Sequence, residues 1–386
     1  MDNNQKKAIT ASKTRKEEEG SLPMRAKRSF RPTRRNFLTG TGAAIAAISF
    51  GPAVSFGAEE KKLNFYNWDT YIGETTLADF KKATGISVKM DLFADNDELL
   101  AKLKNGNPGY DVIVPTNDYV ERMIKAGMLM ELDHAKIPNF KYLEKRFQDA
   151  KFDPGRKYSI TYMWGTIGVG YRPSKVKETP DSWKYLYDSD EYAGKIALLA
   201  EAGTVIGCAL QYLGYSFNST SAEEIAKAAD LIIRNKKNIK TFAADNGQDL
   251  LASGEVDLTQ EWNGDILQVM EEDKDIGFVV PKEGALLWQD CLCIPKGAPH
   301  PDNAHAFINF MNEPEIAANN ALYIQYATPN AAAKALIAKM KDGKDYLENP
   351  AIFPPAAVMA KLEEAVYLGE ARAKLIQDAW TKIQAA

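Results

Sequence analysis

The stretch from Leu63 to Pro115 reads LNFYNWDTYIGETTLADFKKATGISVKMDLFADNDELLAKLKNGNPGYDVIVP, and it decides the fold class. Short apolar or β-branched runs alternate here with amphipathic runs of helical period. Gly85 and Gly106 stop the two amphipathic runs, as is typical of helix ends. The pattern predicts strands at 63–68, 86–93 and 110–115, and helices at 74–85, 95–106 and 118–127. This β-α-β-α order indicates a parallel sheet with crossover helices.

A second series of the same kind follows the run YMWGTIGVGYRP, residues 162–173. Three glycines among aromatic and β-branched residues favour an extended chain that passes between two domains. Ser221 and Glu224 have the spacing of a capping box at the start of a helix. The predicted strands are 194–201, 255–262 and 286–295, and the predicted helices are about 204–213, 220–235 and 266–272, with helical segments at the C-terminus. Two α/β lobes joined by more than one crossing fit this order best.

Charge is divided unevenly along the 386 residues, whose composition is that of an ordinary globular protein. Residues 1–58 contain eleven Lys and Arg against four Asp and Glu, which gives a net charge of +7. The rest of the chain contains 37 bases and 48 acids, which gives −11. An acidic body offers no basic surface for phosphates, so we expect no nucleic-acid partner.

The basic N-terminal segment has the plan of a signal peptide. Arg34 and Arg35 stand in the pattern T-R-R-x-F-L, which resembles the twin-arginine export signal of bacteria. The apolar run 43–54 is too short and too rich in Gly and Ala for a membrane-spanning helix. Cleavage is expected near Gly57 or Ala58, so that residues 1–58 form a twin-arginine signal peptide with a polar leader and the mature protein is exported. A disordered basic arm is the alternative.

Motifs for cofactors are missing from the sequence. The three histidines form no helical i,i+4 pair, and the sequence has no C-x-x-C, no P-loop and no G-x-G-x-x-G after a predicted strand. We therefore predict no cofactor, no metal site and no catalytic residues. An exported hydrolase is the competing class, but no histidine or cysteine lies within the motifs expected to face a cleft.

Aromatic and acidic residues recur at the carboxyl ends of the predicted strands, where open α/β sheets bind their ligands. The residues at these ends are Trp68, Asp69 and Tyr71; Thr116 and Asp118; Glu201; Trp262 and Asp265; and Trp288 and Asp290. None of the ends carries a Lys or Arg, which a site for an anion would need. Indoles and carboxylates together favour an organic cation with an apolar body. A neutral sugar stays open, because sugars also stack on tryptophan, and Asp265 alone could be a helix N-cap.

Several of these residues lie in longer motifs. They are FYNWDTYIGETTLADFKKATGISV (65–88), YDVIVPTNDYVERMIKAGML (110–129), EWNGD (261–265), PKEGALLWQD (281–290) and YATPNAAAKAL (326–336). With these motifs the chain, from about residue 62 to 380, resembles the spermidine/putrescine-binding periplasmic proteins of ABC importers. The resemblance implies an α/β, two-lobed periplasmic-binding-protein fold of type II-like topology, in which each lobe is a mostly parallel sheet with flanking helices.

The resemblance also implies a function. A cleft between the lobes would close on a polyamine, and a membrane permease would recognise the closed form of a monomeric protein. We expect lobe 1 to comprise residues 59–165 and about 289–334, and lobe 2 to comprise about 169–285 and 337–386. Another small organic cation stays open as the ligand.

Individual site residues follow from the same resemblance. The ligand-binding residues that we expect are Trp68, Asp69, Tyr71, Thr116, Asp118, Glu201, Thr204, Trp262, Asp265, Trp288, Asp290 and Tyr326. Two of them depart from the family pattern. Thr204 stands where relatives usually have Glu, and Asp118 stands where they have Ser or Tyr, so one carboxylate is lost and another is gained.

The run LLWQDCLCIP, residues 286–295, contains two of the three cysteines. In a strand, Trp288 and Asp290 point to one face while Cys291 and Cys293 point to the other. Cysteines two apart on one face of a strand are poorly placed for a mutual disulfide. We interpret them as buried small hydrophobes, with a bridge from Cys208 to either of them left open.

Overall fold

The computed structural model describes residues 59–341 and 343–386. The expected signal segment, 1–58, lies outside the described residues. The strands are β1 (Lys62–Asn67), β2 (Ser87–Leu92), β3 (Val112–Ile113), β4 (Ser159–Tyr171), β5 (Ile196–Leu199), β6 (Ile239–Ala243), β7 (Leu258–Trp262), β8 (Gly277–Val279), β9 (Leu286–Cys293) and β10 (Glu363–Glu364). None of the helices in the described part of the chain is both long and apolar enough to cross a membrane.

Fourteen α-helices lie between and after the strands of the described chain. They are α1 (Thr76–Thr84), α2 (Asn96–Lys104), α3 (Asn117–Lys125), α4 (Lys184–Tyr187), α5 (Ala202–Tyr212), α6 (Ala222–Asn235), α7 (Gly247–Ala252), α8 (Asn263–Glu272), α9 (Pro301–Met311), α10 (Pro314–Ile324), α11 (Ala331–Ile337), α12 (Gly343–Glu348), α13 (Ala356–Met359) and α14 (Glu370–Ala385).

The strands form a sheet in the order β2-β1-β3-β9-β4-β7-β5-β6, with β10 beside β9 and β8 beside β4. Two groups within it are parallel: β2, β1 and β3 on one side, and β7, β5 and β6 on the other. Between the groups, β9 runs antiparallel to β3 and β4, and β4 runs antiparallel to β7, while the short β10 runs parallel to β9. The predicted alternation of strands and helices is thus confirmed, with two antiparallel strands in the middle of the sheet.

The 13-residue strand β4 joins the two halves of the sheet. Its first part, Ser159 to Thr166, pairs with β9, and its last part, Ile167 to Tyr171, pairs with β7. The extended chain predicted at 162–173 is therefore a continuous strand that belongs to both halves. A register shift between Thr161 and Met163 interrupts the pairing with β9.

Local signals in the sequence set the helix ends. Gly85 ends α1 with a positive φ of 76°, a conformation that glycine adopts at little cost. Asp95 caps α2 by accepting a hydrogen bond from the backbone of Glu98. Ser221 caps α6 through the backbone of Glu224, as the capping-box spacing predicted.

Helices on both sides of the sheet bury its strands. One large cluster includes Trp288 and Leu292 of β9, and a second cluster includes Cys291 and Cys293 of the same strand. The predicted alternation of faces in β9 is therefore confirmed. All three cysteines are buried and free, so the bridge from Cys208 that the sequence left open does not form. Burial raises the pKa of the Cys291 thiol to about 12, which makes it a poor nucleophile.

Three predictions from the sequence were wrong in detail. Strand β3 is two residues long rather than six. Just beyond its end, the carbonyl of Val114 accepts a hydrogen bond from the Trp68 indole at 2.9 Å. No strand was predicted at β6. Helix α8 begins at Asn263 with Trp262 at its N-cap, so Asp265 lies within the first turn and is not the cap.

Candidate functional site

A cavity opens where the carboxyl ends of β1, β3 and β7 meet strand β9. Aromatic and acidic side chains form most of its wall. The lining residues are Trp68, Asp69, Tyr71, Thr116, Asp245, Trp262, Asp265, Trp288, Asp290 and Tyr326. Among the described residues that line it there are four carboxylates and no Lys or Arg. The cavity is thus acidic and aromatic at once.

The aromatic rings of the cavity pack against one another edge to face. The ring centroids of Trp262 and Trp288 are 6.0 Å apart, with an angle of 85° between the planes. Tyr326 contacts both Trp288, at 5.1 Å, and Tyr71, at 5.2 Å. Edge-to-face packing fixes each ring and leaves its electron-rich face available to a cation.

Two glycines make room for these rings. A β-carbon on Gly264 would lie 2.5 Å from the ring of Tyr326, and one on Gly165 would lie 2.6 Å from the indole of Trp288. Such distances are too short for any side chain larger than hydrogen. The glycines in the sequences EWNGD and YMWGTIG are therefore required by the packing of the cavity wall.

Asp290 lies at the centre of a chain of hydrogen bonds. The Asn96 side-chain amide donates to the Thr116 hydroxyl at 2.9 Å, and that hydroxyl donates to Asp290 Oδ1 at 2.8 Å. Burial raises the pKa of Asp290 to about 7, while the hydrogen bond from Thr116 and the nearby hydroxyl of Tyr71 limit the rise. The Tyr71 hydroxyl approaches Asp290 but forms no hydrogen bond of standard geometry with any described residue.

Asp265 is the second buried carboxyl of the cavity. Burial raises its pKa to about 7, the Tyr326 hydroxyl lowers it, and the neighbouring Asp69 raises it further. Asp245, two residues after β6, has a pKa well above its usual range for the same main reason, burial, with Asp265 adding to the effect. These carboxyls lack a basic partner among the described residues, so their charged forms are disfavoured until a cation arrives.

Two polar atoms of the cavity wall remain without a protein partner. Among the described residues, neither the Trp288 indole N–H nor the Tyr71 hydroxyl has a hydrogen-bond partner, although both side chains are more than nine-tenths buried. Buried polar groups are rarely left unpaired. The Tyr71 hydroxyl lies beside Asp290 and lowers the pKa of that carboxyl, so the Trp288 indole N–H is the clearer case of an unpaired group.

The backbone next to Asp69 is strained. Thr70 has a φ of 51°, which is unusual for a β-branched residue. The Asp69 carboxylate accepts a hydrogen bond from the Thr70 amide at 2.9 Å and so stabilises the turn. Backbone strain of this kind is concentrated at functional sites. Here the strained residue lies between Asp69 and Tyr71, which both line the cavity.

Three expected site residues lie apart from this lining. Glu201 and Thr204 are at the start of α5, where the Thr204 hydroxyl donates to the Glu201 carboxylate at 2.5 Å. Burial raises the pKa of Glu201 to about 8, the bond from Thr204 lowers it, and Asp118 raises it. Burial also raises the pKa of Asp118 to about 6, and backbone N–H groups at the start of α3 lower it. Asp118 and Glu201 thus form a second acidic group, in which Thr204 orients Glu201 instead of adding a charge.

Nine of the twelve residues expected from the sequence line one cavity, although they come from distant parts of the chain. The other three are Asp118, Glu201 and Thr204, and their part in binding stays a prediction. Sequence reasoning missed Asp245, because it follows a strand that was not predicted. It also missed Asn96, which contacts Asp290 only indirectly, through the Thr116 hydroxyl. No motif in the sequence marks this asparagine as part of a site.

Comparison with known proteins agrees with this geometry. The family model for bacterial extracellular solute-binding proteins matches residues 75–354. The putrescine-binding periplasmic protein SpuD of Pseudomonas aeruginosa is 35% identical over 364 residues, which cover 89% of this chain and 98% of that protein. The spermidine/putrescine-binding periplasmic protein of Escherichia coli is 36% identical over 300 residues, covering 76% of this chain and 85% of the relative.

Solved structures show the same relationship. The structure of a putative spermidine/putrescine ABC transporter protein from Listeria monocytogenes superposes with a TM-score of 0.79 at 34% identity, covering 84% of this chain and 99% of the other. The expected α/β, two-lobed periplasmic-binding-protein fold is therefore confirmed, while the residue bounds of the lobes stay a prediction. By their names, these two relatives are periplasmic binding proteins and not enzymes. The chain belongs to the family of bacterial extracellular solute-binding proteins.

Proposed function

We propose that the solute is a polyamine, an alkyl chain with two or more protonated amines such as putrescine or spermidine. One observation carries this proposal. The cavity is lined by four carboxylates, three indoles and two phenols, and the described lining residues include no basic side chain. An anionic solute would meet uncompensated negative charge in such a cavity, and a neutral solute would leave its carboxyls buried without a partner.

The chemistry of the wall suits both parts of a polyamine. Alkyl amines are protonated at neutral pH, as lysine is. Asp290 and Asp265 offer counter-charges for the amines, and the rings of Trp262 and Trp288 offer apolar faces for the methylenes. Burying each methylene contributes about 0.8 kcal/mol, and each contact between a cation and an indole contributes roughly 0.5–2 kcal/mol.

Binding and closure are coupled in this proposal. Without a cation, the closed cleft buries several carboxyls that must hold protons or lack a counter-charge, so closure is less favourable than it is with a cation bound. A bound polyamine supplies the missing charge and favours the closed form. The names of the relatives support the same ligand class, since they are putrescine-binding and spermidine/putrescine-binding proteins.

Delivery to a membrane permease of an ABC importer completes the proposed function. The signal segment with Arg34 and Arg35 would export the protein, and the closed, loaded monomer would be the form that the permease recognises. Periplasmic relatives support this location.

A fluorescence titration tests the proposal. Three of the six tryptophans line the cavity, so polyamine binding should change the intrinsic emission in a saturable way. The panel is putrescine, spermidine, glucose and glutamate, titrated into protein freed of ligand by unfolding and refolding. We expect saturation by the polyamines alone. Saturation by glucose without a response to either polyamine would contradict the proposal and favour a sugar-binding protein.

A further inference from the structure

The hydrogen-bonded pair of Thr116 and Asp290 in the cavity wall comes from two elements, and each member has a polar neighbour along the chain. Asp290 of β9 is preceded by Gln289, whose side chain lies on the opposite face of the strand. Thr116 is followed by Asn117, the first residue of α3. Both neighbours are more than nine-tenths buried, and neither lines the cavity. The contacts of these two neighbours therefore help to place the Asp290 carboxylate and its donor.

A closed ring of hydrogen bonds ties both neighbours to residues 364–365. The backbone N–H of Gln289 donates to Asn117 Oδ1 at 3.1 Å. Asn117 Nδ2 donates to the carbonyl of Ala365 at 2.6 Å, and Gln289 Nε2 donates to Glu364 Oε1 at 2.7 Å. The peptide bond between Glu364 and Ala365 closes the ring. Two residues near the C-terminus thus hold the neighbour of each member of the pair.

The side-chain amide of Gln289 has a defined orientation in this ring. Its Oε1 accepts hydrogen bonds from the Arg156 guanidinium at 2.9 Å and from the Thr161 hydroxyl at 3.1 Å. A guanidinium only donates and a carboxylate only accepts, so the amide oxygen must face Arg156 and the NH₂ group must face Glu364. Arg156 is fully buried, and hydrogen bonds with an ionised partner are stronger than those between neutral groups. A cation and an acid therefore fix Gln289 from opposite sides.

The segment that contains Glu364 is itself anchored on both sides of the site. The Glu364 carbonyl accepts a hydrogen bond from Asn218 Nδ2 at 2.9 Å, in the loop after α5. The Tyr367 amide donates to Glu121 of α3 at 3.0 Å. Strand β10 also pairs with β9. Residues 364–367 are therefore placed to hold β9 and α3 in a fixed relation.

We propose that residues 364–367 form a brace for the solute site, in which Glu364 acts through Gln289 as a positioning residue that keeps the Thr116 hydroxyl on Asp290. Neither Glu364 nor Gln289 lines the cavity, so both act through the pair and not by touching the solute. The inference rests on the proposed function for the solute alone, because the brace consists of contacts within the protein. It adds residues outside the cavity that control the affinity for the solute.

Loss of the brace has an expected effect on Asp290. Burial raises the pKa of this carboxyl to about 7, and the Thr116 hydroxyl lowers it. A weakened bond from Thr116 therefore raises the pKa further and leaves less of the charged form that a cation needs. Other titratable groups also face Asp290, and all of them are retained in the variants below. They are Tyr71, Tyr162, Asp118, Asp245, Asp265 and Cys291.

A pair of alanine variants separates the brace from the strand that carries it. Glu364→Ala removes the acceptor of Gln289 Nε2. Glu363→Ala is the matched control, because it removes the same side chain from the other residue of β10. The Glu363 carboxylate accepts from the Phe217 amide at 2.9 Å and from Ser216 and Gln211, and none of these belongs to β9 or α3.

An exchange of acid and amide tests the same contact without removing atoms. Gln289→Glu sets a second carboxylate against Glu364 and should weaken binding. The double change Gln289→Glu with Glu364→Gln again pairs an amide with a carboxylate, with donor and acceptor exchanged. Arg156 still meets an acceptor in the double variant, and the net charge is that of the wild type. Thermal unfolding of each ligand-free variant shows whether it is folded.

Two measurements give the readout. Carboxyl-carbon NMR of the ligand-free protein, with the signal assigned through Asp290→Asn, gives the pKa of Asp290, and calorimetry at pH 7 gives the affinity for putrescine. We expect Glu364→Ala to raise this pKa and to weaken binding about tenfold, and Glu363→Ala to leave the pKa unchanged and the affinity within about twofold. Gln289→Glu should also weaken binding about tenfold, and the double change should restore it to within about threefold of the wild type.

The results that would overturn the brace differ from those that would overturn the proposed function. Equal effects of the two alanine variants would overturn the brace, because a general loosening of β10 would then explain both. An unchanged pKa of Asp290 in Glu364→Ala, or a folded double variant without restored affinity, would also overturn it. Failure of the wild type to bind putrescine would contradict the proposed function instead, and the NMR titration would still decide whether the brace acts on Asp290.

Discussion

At the scale of single residues, Asp290 has the clearest role. It is 6% exposed, accepts a hydrogen bond from Thr116, and faces the unpaired hydroxyl of Tyr71. Its pKa of about 7 has burial as its main cause, so a cationic ligand would stabilise its charged form. Nothing about a single Asp in the sequence LLWQDCLCIP indicates this environment. Its position at the end of a predicted strand beside Trp288, together with the family resemblance, predicted that it lies in the site, but not its burial or its hydrogen bond from Thr116.

Replacing Asp290 by Asn should weaken diamine binding tenfold or more, which is roughly 1.4 kcal/mol. The amide keeps the size of the side chain but removes the counter-charge. Calorimetry measures the loss, and Asp378→Asn on the exposed surface of α14 is the control for a change in net charge. Equal affinities for the wild type and Asp290→Asn would contradict the role of this residue.

Affinity should also depend on pH, because Asp265 and Asp290 have pKa values of about 7 in the empty protein. Below that pH both carboxyls carry protons that a bound ammonium must displace, while the amines of the ligand stay charged throughout. We expect diamine binding at pH 5.5 to be about tenfold weaker, or more, than at pH 8. In Asp290→Asn the dependence should be shallower. A constant affinity across this range would argue against buried, protonated carboxyls.

The stability of the ligand-free protein should change with pH in the opposite direction. A raised pKa means that the folded state holds its proton more tightly than the unfolded chain does. Between about pH 4 and pH 7 the folded state therefore binds more protons than the unfolded state, and the free energy of unfolding falls as pH rises through that window. Urea unfolding at several pH values measures this slope, and Asp290→Asn should reduce it. An unchanged slope in the variant would exclude Asp290 as a contributor.

At the scale of elements, the turn from β7 into α8 positions three parts of the site: Trp262, Asp265 and, through Gly264, Tyr326. Gly264 lies in the first turn of α8, where alanine would be the better helix former by about 0.5–1 kcal/mol. Packing decides the residue instead, because a β-carbon would lie 2.5 Å from the ring of Tyr326. The glycine is thus explained by the cavity and not by the helix.

Gly264→Ala should therefore displace Tyr326 and weaken its contact with Asp265, with a loss of diamine affinity of about tenfold. Gly203→Ala in α5 is the matched control, because nothing lies within 4 Å of its added methyl group. Calorimetry gives the affinities, and near-ultraviolet circular dichroism reports the movement of the aromatic rings. If the two alanine variants bind alike, Tyr326 is not held by this contact.

Elements also show where prediction from the sequence succeeds and where it ends. Gly85, Asp95 and Ser221 are local signals that end or cap helices, and the structure has helix ends beside each of them. By contrast, β6 has the sequence IKTFA and a partly exposed edge position, with neither an apolar run nor strict alternation. Because this strand was not predicted, the acid that follows it, Asp245, was missed as well.

At the scale of the whole molecule, the cavity joins the two halves of the sheet. Trp68, Thr116 and Asp290 come from the half that contains β1, β3 and β9, and Trp262 and Asp265 come from the half that contains β7. The expectation that ligands bind at the carboxyl ends of strands predicted that most of these residues lie together. The burial of the carboxyls and their pKa values depend on packing between distant segments, which no local sequence signal encodes.

A site with walls on both halves should close around its ligand. We expect small-angle X-ray scattering to show a smaller radius of gyration when a polyamine is added to the ligand-free protein. The neutral 1,4-butanediol, which has the same number of heavy atoms as putrescine, should leave the radius unchanged. An unchanged radius with saturating polyamine would contradict closure on the ligand.

The central claim is that a cavity of carboxylates and indoles, without a basic residue among its described lining, binds a polyamine as a cation. Isothermal titration calorimetry of the ligand-free protein with putrescine and spermidine at pH 8, beside 1,4-butanediol, tests it most directly. The account predicts saturable binding of at least one polyamine at one molecule per protein and no binding of the diol. Absence of polyamine binding, or equal binding of the diol, would contradict it.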